Sequence, residues 1–195
     1  MKQFFITMLL APLFLVPSYA ADFDAGWLAV QRGDFHTALV EFRPLAEEGN
    51  ADAQFNLGVM YENGNGVVPD FTEAVKYYRL ASAQGSARAQ TNLGWMYERG
   101  DGVGRDYQQA AALYRLAAEQ GMAQAHYRLA VMYYTGSGVP QNFIAAHRWA
   151  NLAAAPGDEE AASLREAVTL LMSNEEVSHA QKLAKDCMEN DYKGC

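Results

Sequence analysis

Gly49-Asn50-Ala51-Asp52-Ala53-Gln54-Phe55-Asn56-Leu57-Gly58 recurs as Gly85-Ser86-Ala87-Arg88-Ala89-Gln90-Thr91-Asn92-Leu93-Gly94, and again as Gly121-Met122-Ala123-Gln124-Ala125-His126-Tyr127-Arg128-Leu129-Ala130. The step is 36 residues both times, and the same step continues downstream. Tyr61, Tyr97 and Tyr133 match, as do Gly64, Gly100 and Gly136; Gly66, Gly102 and Gly138; and Val67, Val103 and Val139. Phe71, Tyr107 and Phe143 follow, then Ala74, Ala110 and Ala146. Self-similarity at this period means stacked structural units, none of which can bury its apolar stripe alone.

Each unit reads as two helices. In the first, Ala53, Leu57, Met60 and Tyr61 fall at helical spacing. It ends in a Gly-x-Gly loop, where glycine tolerates the positive φ needed to leave a helix. In the second, Phe71, Ala74, Val75, Tyr78 and Ala81 form one stripe, with Asp70, Asp106 and Asn142 in the N-cap position. Gly58, Gly94 and Ala130 are small enough to let the two helices approach closely. Abundant alanine, scarce proline and few β-branched residues favour helix throughout. The fold expected is all-α: an α/α solenoid, or superhelix, of helix-turn-helix units with a C-terminal helical cap. The ends depart from the period, as capping units should. Gly26 lies 32 residues before Gly58, whereas Gly33, Ala38 and Phe42 are in phase. Beyond Gly157 a polar helix is expected from Asp158 to about Met172. A last helix then opens with the capping-box sequence Ser173-Asn174-Glu175-Glu176 and turns Val177, Ala180, Leu183, Ala184 and Cys187 inward.

The pattern Gly-x-Ala-x-Ala-x-x-x-Leu-Gly-x-x-Tyr, then Gly-x-Gly-Val, then Ala-x-x-x-Tyr-x-x-Ala-Ala resembles the SEL-one-like repeat (SLR) family of the tetratricopeptide superfamily. The resemblance covers about Asp34 to Gly157. It implies a protein-binding superhelix, often of bacterial envelopes or secretion pathways. The chain then divides into a signal peptide at 1–20, a tetratricopeptide-like capping repeat at 21–48, repeats at 49–84, 85–120 and 121–156, and a helical cap at 157–195.

The signal peptide rests on Lys2, an apolar run from Phe4 to Val16, and the small residues Ser18 and Ala20. Cleavage is expected between Ala20 and Ala21; an uncleaved anchor is the alternative, disfavoured because the run is short for a bilayer. The expected location is therefore periplasmic or secreted, as a monomer with no membrane insertion after cleavage. Lys and Arg number 15 against 23 Asp and Glu, a net charge of −8 that opposes binding to nucleic acid phosphates. The two cysteines, Cys187 and Cys195, are expected to form a disulfide in an oxidising compartment.

No catalytic constellation, cofactor site or metal site emerges. Gly100-Asp101-Gly102-Val103-Gly104 sits between helices and not after a strand, so it is the repeat loop and not a phosphate cradle. His36, His126, His147 and His179 are scattered, without zinc-ligand spacing. The partner expected is a protein or extended peptide of the cell envelope. The alternative is a small envelope hydrolase or a binder of peptidoglycan fragments or β-lactams; the resemblance gives it little support, because the relatives with that activity carry a cysteine pair in each repeat and this chain does not. Family geometry implies that the first helix of each unit lines the concave face. Its variable columns contain Phe55, Asn56, Arg88, Asn92, Trp95, Tyr127, Arg128 and Tyr134. Exposed aromatics beside arginine suit an interface, although Phe55 and Tyr127 could equally pack between units. Trp95 stands out because its equivalents are Val59 and Val131. Asn56 and Asn92 resemble positions where some tetratricopeptide domains hold an extended peptide's backbone or terminal carboxylate.

Overall fold

The computed structural model describes residues 20–154 and 158–195. The expected signal peptide, apart from Ala20, lies outside the described residues. Ten helices are present among them, and no strand. They are α1 (Phe23–Gln31), α2 (Phe35–Glu47), α3 (Ala51–Asn63), α4 (Phe71–Ala83), α5 (Ala87–Arg99), α6 (Tyr107–Ala118), α7 (Ala123–Thr135), α8 (Phe143–Ala153), α9 (Glu159–Thr169) and α10 (Asn174–Glu189). The chain is an α/α solenoid. Hairpins α1–α2, α3–α4, α5–α6 and α7–α8 stack in order, each second helix packing on the first helix of the next hairpin.

Local chemistry sets the helix ends. The carboxylates of Asp70 and Asp106 accept from two backbone N–H groups each at the starts of α4 and α6, and the Asn142 side chain accepts from Ala145 at the start of α8. Gly64, Gly100 and Gly136 close α3, α5 and α7 in the left-handed conformation. The second glycine of each loop meets a further demand. A Cβ on Gly66 would run into the Cβ of Phe35, and one on Gly102 or Gly138 into the backbone of Phe71 or Tyr107, in each case the first residue of the preceding unit's second helix. These loops therefore seat each unit on its predecessor.

Burial runs as a chain of linked clusters along the stack. Gly26, Gly58 and Gly94 lie under the rings of Phe42, Tyr78 and Tyr114, close enough that a Cβ would sit 2.6–2.8 Å from the ring. Phe71, placed on the apolar stripe by its spacing, is 43% exposed. As the first residue of α4 it contributes mainly backbone to the contact with Gly102.

The C-terminal cap does not continue the hairpin series. α9 packs on α8, and α10 also returns to α8. The capping box at Ser173 and Glu176 forms as its sequence implies. Ala180, Ala184 and Cys187 are buried, while Val177 and Leu183 are half-buried. Cys187 and Cys195 are disulfide-bonded with Cα atoms 5.6 Å apart. Closing so short a loop contributes about 2–3 kcal/mol on the chain-entropy estimate. The tail it pins brings the Tyr192 ring to 5.2 Å from His126, whose other neighbour is Trp149 at 5.5 Å.

Candidate functional site

The first helices carry two kinds of side chain on their variable columns: polar ones bonded within the stack and aromatic ones that are only partly covered. Asn56 is buried and gives its side-chain amide to the Asp52 carbonyl at 2.8 Å, an i−4 bond within α3. Asn92 donates to the Tyr78 hydroxyl at 3.0 Å. That hydroxyl in turn donates to Glu62. Arg128 lies 3.7 Å from Glu98, the carboxylate to which Tyr114 donates. Burial, reinforced by Glu62 in one unit and Glu98 in the next, holds both tyrosine hydroxyls far above their ordinary titration range. Asn92 and Arg128 thus read the Tyr–Glu pair of the unit before them, so they serve the stack. Arg79 and Arg115 similarly donate to the Tyr97 and Tyr133 hydroxyls of the following units at 2.9 Å.

The aromatic candidates divide in the same way. Phe55 is half-buried, its ring 5.9 Å from Tyr78 and roofed by the Arg88 guanidinium at 4.5 Å. Arg88 is also paired with Asp52 at 2.6 Å. Tyr134 is half-buried with its ring 6.2 Å from Phe143. Tyr127 borders an open depression of about 540 Å³ with Glu159, Glu160, Ser163 and Leu164 of α9. Partial burial, then the nearby Glu160 charge, raises its hydroxyl above the ordinary value. Trp95 is half-buried, with Arg99 5.0 Å above its ring and itself tied to Asp101 at 2.7 Å.

A small cavity of about 160 Å³ joins three successive first helices at the amino-terminal end: Phe23 and Trp27 of α1, Asp52 and Asn56 of α3, and Arg88 of α5. It establishes that these helices share one face. Trp27, 43% exposed, is the most open aromatic there. Sequence reasoning by the 36-residue step missed it because the first unit is short. The 32-residue offset of Gly26 from Gly58 would have found it, since that offset aligns Trp27 with Val59, Trp95 and Val131, and Phe23 with Phe55. The face therefore carries a row that alternates Trp27, Val59, Trp95 and Val131.

The Sel1 repeat family matches the chain three times in succession, at residues 51–86, 87–122 and 123–158. The chain belongs to the Sel1 repeat family. Members of this family are in general non-catalytic scaffolds that bind protein partners. Among solved structures, the Sel1 repeat protein from Oxalobacter formigenes superposes with a TM-score of 0.72 at 26% identity, over 85% of this chain and 75% of that one. The protein c5321, a protective antigen of uropathogenic Escherichia coli with an SLR fold, gives a TM-score of 0.61 at 26% identity. That match covers 87% of this chain and spans 46% of the antigen. No curated protein shows significant similarity. Among the described residues no three His, Cys, Asp or Glu side chains are grouped to hold a metal ion, and no helix is long and apolar enough to cross a membrane.

Proposed function

We propose that this Sel1 repeat chain is an exported scaffold that binds an extended peptide or protein segment of the cell envelope along the face formed by α1, α3, α5 and α7, without catalysis. The observation that carries the reading is the row of Trp27, Val59, Trp95 and Val131, whose two tryptophans stand two units apart. The polar neighbours of this row are already bonded, Asn56 within its own helix and Asn92 and Arg128 to the preceding unit, which leaves the aromatic rings as the available anchors. Packed helices lie about 8–10 Å apart, so the tryptophans are separated by on the order of 20 Å. An extended chain advances about 3.3–3.6 Å per residue, so roughly six residues span them. Export rests on the amino-terminal sequence from Lys2 to Ala20, and the disulfide agrees with an oxidising compartment.

The test is photo-crosslinking in cells with the reactive residue at position 27 or 95, and at Lys76 on the outer side of α4 as control. The same discrete partner should be captured from 27 and 95 and not from 76. Adducts from position 76 alone, or different proteins from 27 and 95, would remove the proposed face.

A further inference from the structure

We propose that the cleft between α8 and α10 is a second binding site, which takes the C-terminal residue of a peptide: its carboxylate on Arg148 and its apolar side chain against Ile144, Ala145 and Leu183. None of the residues involved belongs to the rows of the inner face. Arg148 is the core of the case. Its Nε is buried and meets no hydrogen-bond acceptor, and no ion pair among the described residues includes it. Its guanidinium stacks on the Trp149 ring at 4.6 Å, which orients it but neutralises nothing. The side chain as a whole is half-buried, and a partly desolvated guanidinium without an anion gains from a well-placed opposite charge.

The repeat shows how this arose. The position of Arg148 is Lys76 in the first full unit, exposed and paired with Glu73 at 2.9 Å on the same helix. In the third unit the acid of that pair is replaced by Ala145, while a cation is retained and partly covered where α10 packs on α8. The cation of the third unit is half-buried and lacks the acid that pairs with Lys76 in the first. What replaces it is space: a cavity of about 380 Å³ lined by Arg148, Tyr133, Asn142, Ala145, His179 and Leu183, with Ile144 alongside. Behind Arg148 a smaller cavity of about 110 Å³ is bordered by Lys193 and Asp186, neither of which forms an ion pair with it. The lining of the larger cavity sets the ligand. Guanidinium forms short, charge-assisted bonds to carboxylate, often two at once. The apolar wall beside it favours a carboxylate attached next to an apolar side chain, as at a peptide C-terminus, over the carboxylate of an internal Glu or Asp, which arrives on a polar segment.

The test uses the full chain labelled with nitrogen-15 and N-acetyl-phenylalanine as probe, against N-acetyl-phenylalaninamide and N-acetylglutamic acid α-amide. The Trp149 indole signal, assigned by loss in Trp149→Phe, reports on the stacked guanidinium. The acid should bind at least tenfold more tightly than either control, and Arg148→Met should abolish that preference. Arg148→Met should also unfold at the same or a higher denaturant concentration, because it removes an unpaired, partly buried charge and keeps the stem. Equal response to acid and amide, equal response to the glutamic side chain, no saturable response, or a preference that survives in Arg148→Met would each overturn the proposal. The ligand comparison on the unaltered chain decides the matter even where the variant folds poorly. Because the inner-face tryptophans are not involved, failure here leaves the crosslinking result intact, and the reverse also holds.

Discussion

The unit formed by α5 and α6 and the unit formed by α7 and α8 solve one packing problem with different residues. In the former, Gly94 lies beneath Tyr114, whose hydroxyl donates to Glu98 at 2.8 Å. In the latter, the three equivalent positions are Ala130, Ala150 and Tyr134. The ring under which a glycine would be needed is gone, so an alanine fits, and the acid that the hydroxyl required is gone as well. The lost volume returns through Trp149, fully buried one position earlier. The two solutions are not equal in polar satisfaction. The middle unit pairs its polar groups across the interface, whereas buried nitrogens of His147, Arg148 and Trp149 meet no partner. Repeat columns thus constrain the summed volume and the matched donor–acceptor set, and when one member changes the others change with it.

The largest effects should come from mixing the two solutions. Tyr114→Ala should cost about 4 kcal/mol, since it opens a large cavity and takes the hydroxyl donor from Glu98. Gly94→Ala alone should cost about 2 kcal/mol by overpacking against the Tyr114 ring. The double variant recreates the Ala130–Ala150 pair and should be less destabilised than the sum by about 1–2 kcal/mol. Urea denaturation of the four proteins measures that coupling. Additivity within about 0.5 kcal/mol would mean that the glycine and the ring are independent and that the two units do not differ as a matched set.

A smaller effect tests the loops that seat both units. Gly85 and Gly138 both have positive φ, 89° and 71°, but a Cβ on Gly85 would meet nothing within 4 Å, while one on Gly138 would enter the Tyr107 carbonyl. Gly85→Ala should cost about 1–2 kcal/mol, the left-handed penalty alone. Gly138→Ala should cost about 3 kcal/mol, with the backbone overlap added. Equal losses would show that the loop does not hold the third unit on the second.

These cases mark what could be read in advance. The hairpins, the caps at Asp70, Asp106 and Asn142, and the glycine-terminated first helices were legible because each follows from local chemistry repeated in phase. Columns that vary against a constant background single out Trp95, which lies half-buried on the first helix of its unit. Trp27 was hidden because its unit is four residues short, so its column is found only with a second offset. Asn56 and Asn92 look like free binding residues in sequence; Asn56 instead bonds back to the Asp52 carbonyl of its own helix, and the partner of Asn92, the Tyr78 hydroxyl, depends on three-dimensional register. The return of α10 onto α8 has no repeat to announce it. Its apolar residues fix which side is buried but not which helix receives it.

The finest contrast lies at one column. Gln54 donates to the Ala46 carbonyl at 3.0 Å, and its equivalent in the third unit, His126, makes the matching contact to the Ala118 carbonyl at 3.0 Å. Glutamine does not titrate and histidine does. Burial holds the His126 imidazole below its ordinary value, and His147 is lowered for the same reason. The unfolded chain then binds protons more readily than the folded one as the pH falls through about 6.5, so stability is full above that value and is lost progressively below it. His126→Gln restores the residue used by the other units and keeps a donor for Ala118. It should flatten the decline in melting temperature between about pH 7.5 and 5.5, leaving the part due to His147. It should also cost about 1 kcal/mol at neutral pH, because the amide cannot replace the ring contacts with Trp149 and Tyr192. Melting curves across that pH range separate the two effects. A pH dependence identical in His126→Gln and the unaltered chain would show that the third unit's histidine is no more titration-sensitive than the glutamines it replaces.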